Sequence, residues 1–281
     1  MTINQHFVQF LSKYTPTDAE KAAYSLHRQS VEAKLASSFG VQHFWETGSF
    51  SNGTGVRFHS DLDVLTSIPA ASQRTNSSYM LSAIKTALEE RFTTSPIYIR
   101  TPSVVVDFSG SKRVEVTPGY YKTSVDDNLV YEIPQLGGGW IKTSPWAHNK
   151  YVTGVNTSLG YKVKPLVRLM KTLKHTRNIP ISSFYLELRL AKYCEGETSI
   201  IYEYDMLRML NRLVADGLAA TRDPNGITGM VSACNTDAQK QDALSKLATA
   251  STRVNNAINA EKAGRHTDAL YWWKMVFDRE F

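Results

Sequence analysis

The pattern that most constrains this chain is GSFSNGTGVRFHSDLDVLTSI, in which Gly48-Ser49 is followed after eleven residues by Asp61-Leu62-Asp63 at the head of a β-rich run. On a strand, side chains alternate between faces, so Asp61 and Asp63 project the same way and offer two carboxylates to one point. Carboxylate oxygens are the ligands that hard divalent cations such as Mg²⁺ take alongside substrate phosphates. With two such ions, one activates a hydroxyl and the other holds a triphosphate and its leaving group, and Mn²⁺ can stand in for Mg²⁺. Upstream, Gly48 lets the backbone turn tightly, while Ser49 and the amides after it offer donors to phosphate at a helix start. Either piece alone is more often a turn or a solvated strand edge. Strand, Gly-Ser turn, short helix and acidic strand in this order make a much narrower requirement.

The remainder of the chain reads as two kinds of scaffold. Thr17 and Glu20 form a capping-box pattern, and the apolar positions after them carry a long helix to Ser38. After Gly40 come the short β-rich runs VQHFWETGS, DLDVLTSI, PIYIRTP, SVVVDFSG and KRVEVTPGY, with helical composition from Ser77 to Phe92 between them. Phe108 to Lys112 reads as a hairpin turn joining the last two of these strands. The Gly137-Gly138-Gly139 run closes this half, and beyond it helical periodicity holds over Lys162–Arg177, Ile181–Tyr193, Tyr202–Asp216, Asp237–Ala260 and His266–Phe277. The expected fold class is α+β: an α/β domain over residues 1–136 that includes the long helix, and a mainly helical C-terminal lobe over residues 137–281.

Hydrophobic residues make up 42% of the chain and charged ones 21%, which is the balance of a folded globular protein. The N-terminal segment carries no signal-peptide pattern and no apolar stretch spans a bilayer, so the expected location is the cytoplasm, away from membranes. Cys194 and Cys234 are far apart without a CxxC, and both read as core thiols. The histidines show no HExxH spacing, GxSxG is missing, and the GSKR turn lacks the rest of a P-loop, which leaves zinc proteolysis, acyl transfer and Walker-type nucleotide binding without support. The net charge of +6 is unevenly spread. No acid occurs from Ile133 through Leu186, where Lys142, Lys150, Lys162, Lys164, Arg168, Lys171, Lys174 and Arg177 create a positive surface suited to a polyanion. Within Lys162–Arg177, Val163, Leu166, Val167, Met170 and Leu173 make one helical stripe, and Lys164, Arg168, Lys171 and His175 make another.

The GSFSNGTGVRFHSDLDV stretch resembles the signature of the bacterial cyclic-oligonucleotide synthases, relatives of cyclic GMP-AMP synthase and oligoadenylate synthase in the DNA polymerase β superfamily. Gly48, Ser49, Gly53, Thr54, Arg57, Ser60, Asp61 and Asp63 stand where that pattern has them. GGGWIKTSPWAHNKYV, VRLMKTLK and SSFYLELRL resemble later segments of the same family, and ALYWWKMVFDREF is a looser match to its closing helix. The resemblance implies a polymerase β-like nucleotidyltransferase palm against a helical lobe, nucleoside triphosphates with ATP among them in the cleft, and two Mg²⁺ ions on Asp61, Asp63 and a third acid. Family members use Asp in a short apolar run ending in Pro. VEVTPG puts Glu115 there, one methylene longer, and Asp107 in VVVDF is the other candidate. If the flanking valines mark the core, Glu115 points away from it, to the side of Asp61 and Asp63.

The same resemblance assigns Lys171 and Ser183 to the donor triphosphate and Phe184 to stacking on a nucleobase, with Arg168 and Lys174 tuning the field. It implies attack of a ribose hydroxyl on an α-phosphorus, release of pyrophosphate, and closure to a cyclic di- or trinucleotide second messenger. It further implies a role in antiphage defence beside an effector or regulatory protein. The competing readings are a transferase acting on RNA or a small hydroxylated acceptor, and a catalytically silent nucleic-acid-binding module that uses the basic lobe.

Overall fold

Two capping boxes open the chain. Thr2 and Gln5 cap α1 (Ile3–Tyr14), and Thr17 and Glu20 cap α2 (Asp18–Phe39), each hydroxyl accepting from the third amide while the longer side chain accepts from the cap amide. α2 stops at Gly40, whose φ of 62° is the left-handed conformation that glycine adopts without strain. The computed structural model describes residues 2–109 and 112–281, so Gly110 and Ser111 of the expected Phe108–Lys112 turn lie outside the described residues.

After α2 come β1 (His43–Thr47), α3 (Gly48–Ser51), β2 (Leu62–Ser67), α4 (Ser77–Arg91), β3 (Ile97–Arg100), β4 (Ser103–Phe108), β5 (Lys112–Val125), β6 (Asn128–Pro134) and β7 (Trp140–Thr143). The sheet runs β1-β2-β5-β4-β3; β2 and β5 are parallel, the other pairs on this path antiparallel. β5 then continues into an antiparallel extension with β6 and β7, its register shifting between Tyr121 and Thr123. The mixed sheet therefore extends past the glycine run, which joins β6 to β7. Leu62, Val64, Val104, Val106, Val114 and Val116 alternate onto one face and pack with Val31 and Leu35 of α2 and Met80, Leu81, Ile84 and Leu88 of α4. The opposite face carries Asp63, Asp107 and Glu115 together with the buried Leu65 and Val105.

The second half holds α5 (Pro145–Ser158), α6 (Val163–Thr176), α7 (Ser183–Cys194), α8 (Tyr202–Ala215), a two-strand ribbon of β8 (Thr221–Arg222) and β9 (Met230–Val231), α9 (Asp237–Lys262) and α10 (His266–Val276). The chain forms two compact units, one over Pro16–Asn149 and the other combining the residues up to Thr15 with Lys150–Phe281. This differs from a division after residue 136 in two ways. β7 stays with the sheet because β6 supplies its hydrogen bonds, and α1 belongs to the helical unit because its aromatic face lies there. The Phe7 ring sits 4.7 Å from Trp273 and 5.0 Å from Phe281, and Phe10 sits 4.5 Å from Phe277. Cys194 is buried and Cys234 half-buried, both as free thiols, and burial pushes the Cys194 thiol up to about 12. Among the described residues no helix is long and apolar enough to cross a membrane.

Because Phe7 is 1% exposed and contacts the last aromatic residues of the chain, Phe7→Ala should destabilise the helical unit by about 3–5 kcal/mol. Urea denaturation followed by tryptophan fluorescence would check this, and an unchanged midpoint would detach α1 from that core.

Candidate active site

The face of the sheet opposite the helices gathers the acids. Leu62 and Val64 point into the core, so Asp63 between them, and Asp61 just before β2, point away from it. In β5, Val114 and Val116 are core residues, and Glu115 between them faces the same way as Asp63, which is its register partner in the parallel β2–β5 pair. Paired strands lie about 4.8 Å apart, so this register puts the two acids side by side. Asp107 shares the face, but it stands on β4 opposite Arg113, while Val105 is the partner of Glu115. Asp107 is therefore one strand farther from Asp63 than Glu115 is.

Two arginines bind this cluster. Arg113 Nε lies 2.9 Å from Asp61 Oδ1, and Arg100 Nη2 lies 3.3 Å from Asp61 Oδ2 while also contacting Glu115 Oε1. The side chains of Asp61 and Glu115 are only 12% and 11% exposed. Burial pushes the Asp61 carboxyl above its ordinary range, and the two arginines pull it back. The same burial raises the nearby Tyr24 phenol, to which the Asp61 charge adds.

The Gly48-Ser49 turn leans directly on these acids. Gly48 has φ +65°, and a Cβ there would overlap the Asp63 carboxylate, with the carboxyl carbon at 2.6 Å. Only glycine allows this approach. Ser49 Oγ donates to Ser60 Oγ at 3.1 Å, and Ser60 Oγ also accepts from the Val56 amide at 2.8 Å. Arg57 Nε bonds Glu20 at 2.8 Å, so the capping residue of α2 also anchors the loop between the Gly-Ser turn and Asp61.

The basic residues belong to the other unit. Val163, Leu166, Val167, Met170 and Leu173 of α6 are buried as the apolar stripe requires, but the charged stripe is not uniformly open. Lys171 is 3% exposed, and its Nζ lies 2.5 Å from Glu187, the first acid after the acid-free span. Expected on a phosphate-facing surface, Lys171 instead has its ammonium drawn into the packed layer by a carboxylate from α7. The lysine that meets Ser183 is Lys174, whose Nζ donates to Ser183 Oγ at 2.6 Å. Ser183 begins α7, where Ser182 caps the helix by accepting from the Tyr185 amide, and Phe184 follows, half-buried. Burial lowers the Arg168 guanidinium and the Lys164 ammonium from their ordinary ranges, Glu187 opposing it at Lys164.

Among the described residues no group of three or more His, Cys, Asp and Glu side chains is arranged to hold a metal ion as it stands. The donor set nevertheless suits a hard cation, because one guanidinium nitrogen already touches both Asp61 and Glu115, and Asp63 adjoins Glu115 in register. Asp61, Asp63 and Glu115 are the residues that would hold such a cation. Neither Arg100 nor Arg113 stands out in the sequence, where Arg100 is the single basic residue of β3 and Arg113 follows Lys112 at the start of β5.

Residues 1–156 match the model of the second messenger oligonucleotide or dinucleotide synthetase domain. A probable cyclic nucleotide synthase of Bacillus cereus (strain VD146) is 24% identical over 234 residues, covering 79% of this chain and 68% of the relative. Among solved structures, CdnC of Escherichia coli MS115-1 with ATP matches with a TM-score of 0.77 at 19% identity over 99% of this chain and 98% of that one. CdnC in complex with HORMA-deltaN matches with the same TM-score of 0.77 at 18% identity, over 99% of this chain and 97% of the other. The Vibrio cholerae cyclic AMP-GMP synthase DncV, in complex with a linear intermediate, matches with a TM-score of 0.75 at 13% identity, over 95% of this chain and 92% of that one. At these identities the structural likenesses establish the fold.

Lys171→Ala would remove the ammonium nearest to Glu187, whose side chain is 5% exposed, and should destabilise the protein clearly more than Lys174→Ala does. Lys174→Ala, at a half-buried position, should cost about 1 kcal/mol or less. Denaturant titration of both variants would decide, and a Lys171→Ala protein as stable as its parent would show that the ammonium is available to a ligand after all.

Proposed function

The chain belongs to the second messenger oligonucleotide or dinucleotide synthetase family, and we propose that it joins nucleoside triphosphates, ATP among them, into a cyclic di- or trinucleotide with release of pyrophosphate. The observation that carries this reading is the meeting of Asp61, Asp63 and Glu115 on one sheet face, against a turn in which Gly48 adjoins Asp63. Those three carboxylates would hold two Mg²⁺ ions, or Mn²⁺ in their place. Bound there, the metal supplies an activated attacking hydroxyl and neutralises charge on the triphosphate.

The protein's own groups do the positioning. Asp63 and Glu115 are fixed to adjacent strands, so their separation is set by backbone pairing rather than by a mobile loop. Arg113 orients Asp61 from one side. Ser49 and the amides of the Gly-Ser turn are donors for phosphate oxygens. From the helical unit, Lys174 and Ser183 take the triphosphate-holding role in place of Lys171, whose ammonium is engaged by Glu187, and Phe184 stacks on a base. A ribose hydroxyl oxygen attacks the α-phosphorus in line; the new phosphorus–oxygen bond forms as the bond to the bridging oxygen breaks and pyrophosphate departs. Catalysis comes from alignment and from charge placed where it develops. A second such step closes the ring.

On this reading the sheet unit is the palm, the helical unit is its lobe, and the enzyme works in the cytoplasm. The product is a second messenger that activates an antiphage effector, and the CdnC complex with HORMA-deltaN supports a regulatory protein as partner.

Incubation with all four labelled triphosphates and Mg²⁺ or Mn²⁺ should yield a product that survives phosphatase. Only phosphatase-sensitive products, or extension of added RNA, would move the activity to the acceptor-directed alternative. Asp61→Asn, Asp63→Asn and Glu115→Gln should each lower pyrophosphate release by about 100-fold or more with the fold intact by circular dichroism. Asp107→Asn should keep most of the activity. The reverse result for Glu115 and Asp107 would transfer the third ligand to β4.

A further inference from the structure

Arg100 ends β3, the edge strand, and alternation puts it with Tyr98 on the acid-bearing face, since Ile97 pairs with core Val106. From there its side chain crosses β4 to reach β5. A single nitrogen, Nη2, contacts Asp61 and Glu115 together, while the side chain as a whole stays 51% exposed. Arg113 is differently placed. It is 33% exposed, it faces Asp107 across the β4–β5 pair, and both Asp61 and Asp107 attract it, so it is held from two sides. Of the two cations in the cluster, Arg100 is the one with solvent to retreat into.

We propose that Arg100 is the resident counter-cation of the carboxylate site and is exchanged for the divalent metal when that metal binds. The inference rests on the metal-dependent reading above and adds a competitor to it. Without a cation between them, Asp61 and Glu115 would repel, being two like charges with little exposure. The guanidinium holds them together by contacts that a half-exposed side chain gives up at small cost. A doubly charged ion offers both carboxylates more than a single guanidinium nitrogen does, so it displaces Arg100, and the side chain swings outward. Metal affinity measured in the absence of nucleotide therefore contains the work of displacing Arg100.

The test measures Mn²⁺ binding to the whole chain without nucleotide, from the paramagnetic resonance signal of the free ion. Arg100→Gln should tighten Mn²⁺ binding by about 3- to 10-fold relative to the parent. Arg91→Gln, which removes the same charge from the end of α4 away from the cluster, should leave the affinity within about twofold. Asp61→Asn combined with Arg100→Gln should lose the gain. Unchanged or weaker binding in Arg100→Gln, or equal tightening in Arg91→Gln, would overturn the exchange while leaving the metal site standing. Mn²⁺ binding that ignores Asp61→Asn would overturn the metal reading and the exchange with it.

Discussion

The parallel pairing of β2 with β5 is the constraint on which the site depends. It sets Asp63 beside Glu115 and Leu62 beside Val114 in consecutive rungs, so that the same register seals the core on one face and assembles the acids on the other. A shift of one residue in either strand would turn that strand's acid into the layer occupied by α2 and α4 and bring its core residues to the other face. The cost of burying a carboxylate against an apolar helix layer therefore protects the arrangement of the acids. Hydrophobic packing of Val64, Val114 and Val116 and the convergence of Asp63 and Glu115 are two outcomes of one alignment.

Electrostatics then has to be satisfied locally, because Asp61 and Glu115 are nearly enclosed. Arg113 does this for Asp61, and Asp107, its register partner on β4, adds its field at that guanidinium. Asp107, an alternative third acid by its sequence context, stands opposite Arg113 on β4, one strand farther from Asp63 than Glu115 is. The Gly48-Ser49 turn is pressed against Asp63 from the other side, and the loop that follows is tied to α2 through Arg57 and Glu20. Glu20 thereby caps a helix and braces the loop that leads into Asp61.

What the sequence displays is whatever is encoded by local periodicity. The alternation in VEVTPG and DLDV marked the core valines and the outward acids, the Thr17–Glu20 box marked α2, and the apolar stripe of α6 matches its buried residues. The same kind of signal, Thr-x-x-Gln at Thr2 and Gln5, opens α1, but it precedes a segment too short and polar to declare a helix by periodicity alone. The glycine run between β6 and β7 has the composition of a break between domains, but it forms the turn of a hairpin. Lys171 and Lys174 lie on one helix and look alike in sequence. What separates them is whether a carboxylate from α7 reaches them, and Glu187 reaches Lys171. Arg100 and Arg113 acquire meaning only through strand neighbours, with Arg100 and Asp61 separated by 39 positions in the chain.

As proposed above, Asp61, Asp63 and Glu115 form one metal centre. The most direct measurement is a crystal structure of the protein with Mn²⁺ and a non-hydrolysable triphosphate, with anomalous scattering used to locate the ion. The account predicts anomalous density between Asp61, Asp63 and Glu115, with Arg100 withdrawn from both carboxylates. Density centred on Asp107, or triphosphate bound with no ion at these three acids, would contradict it.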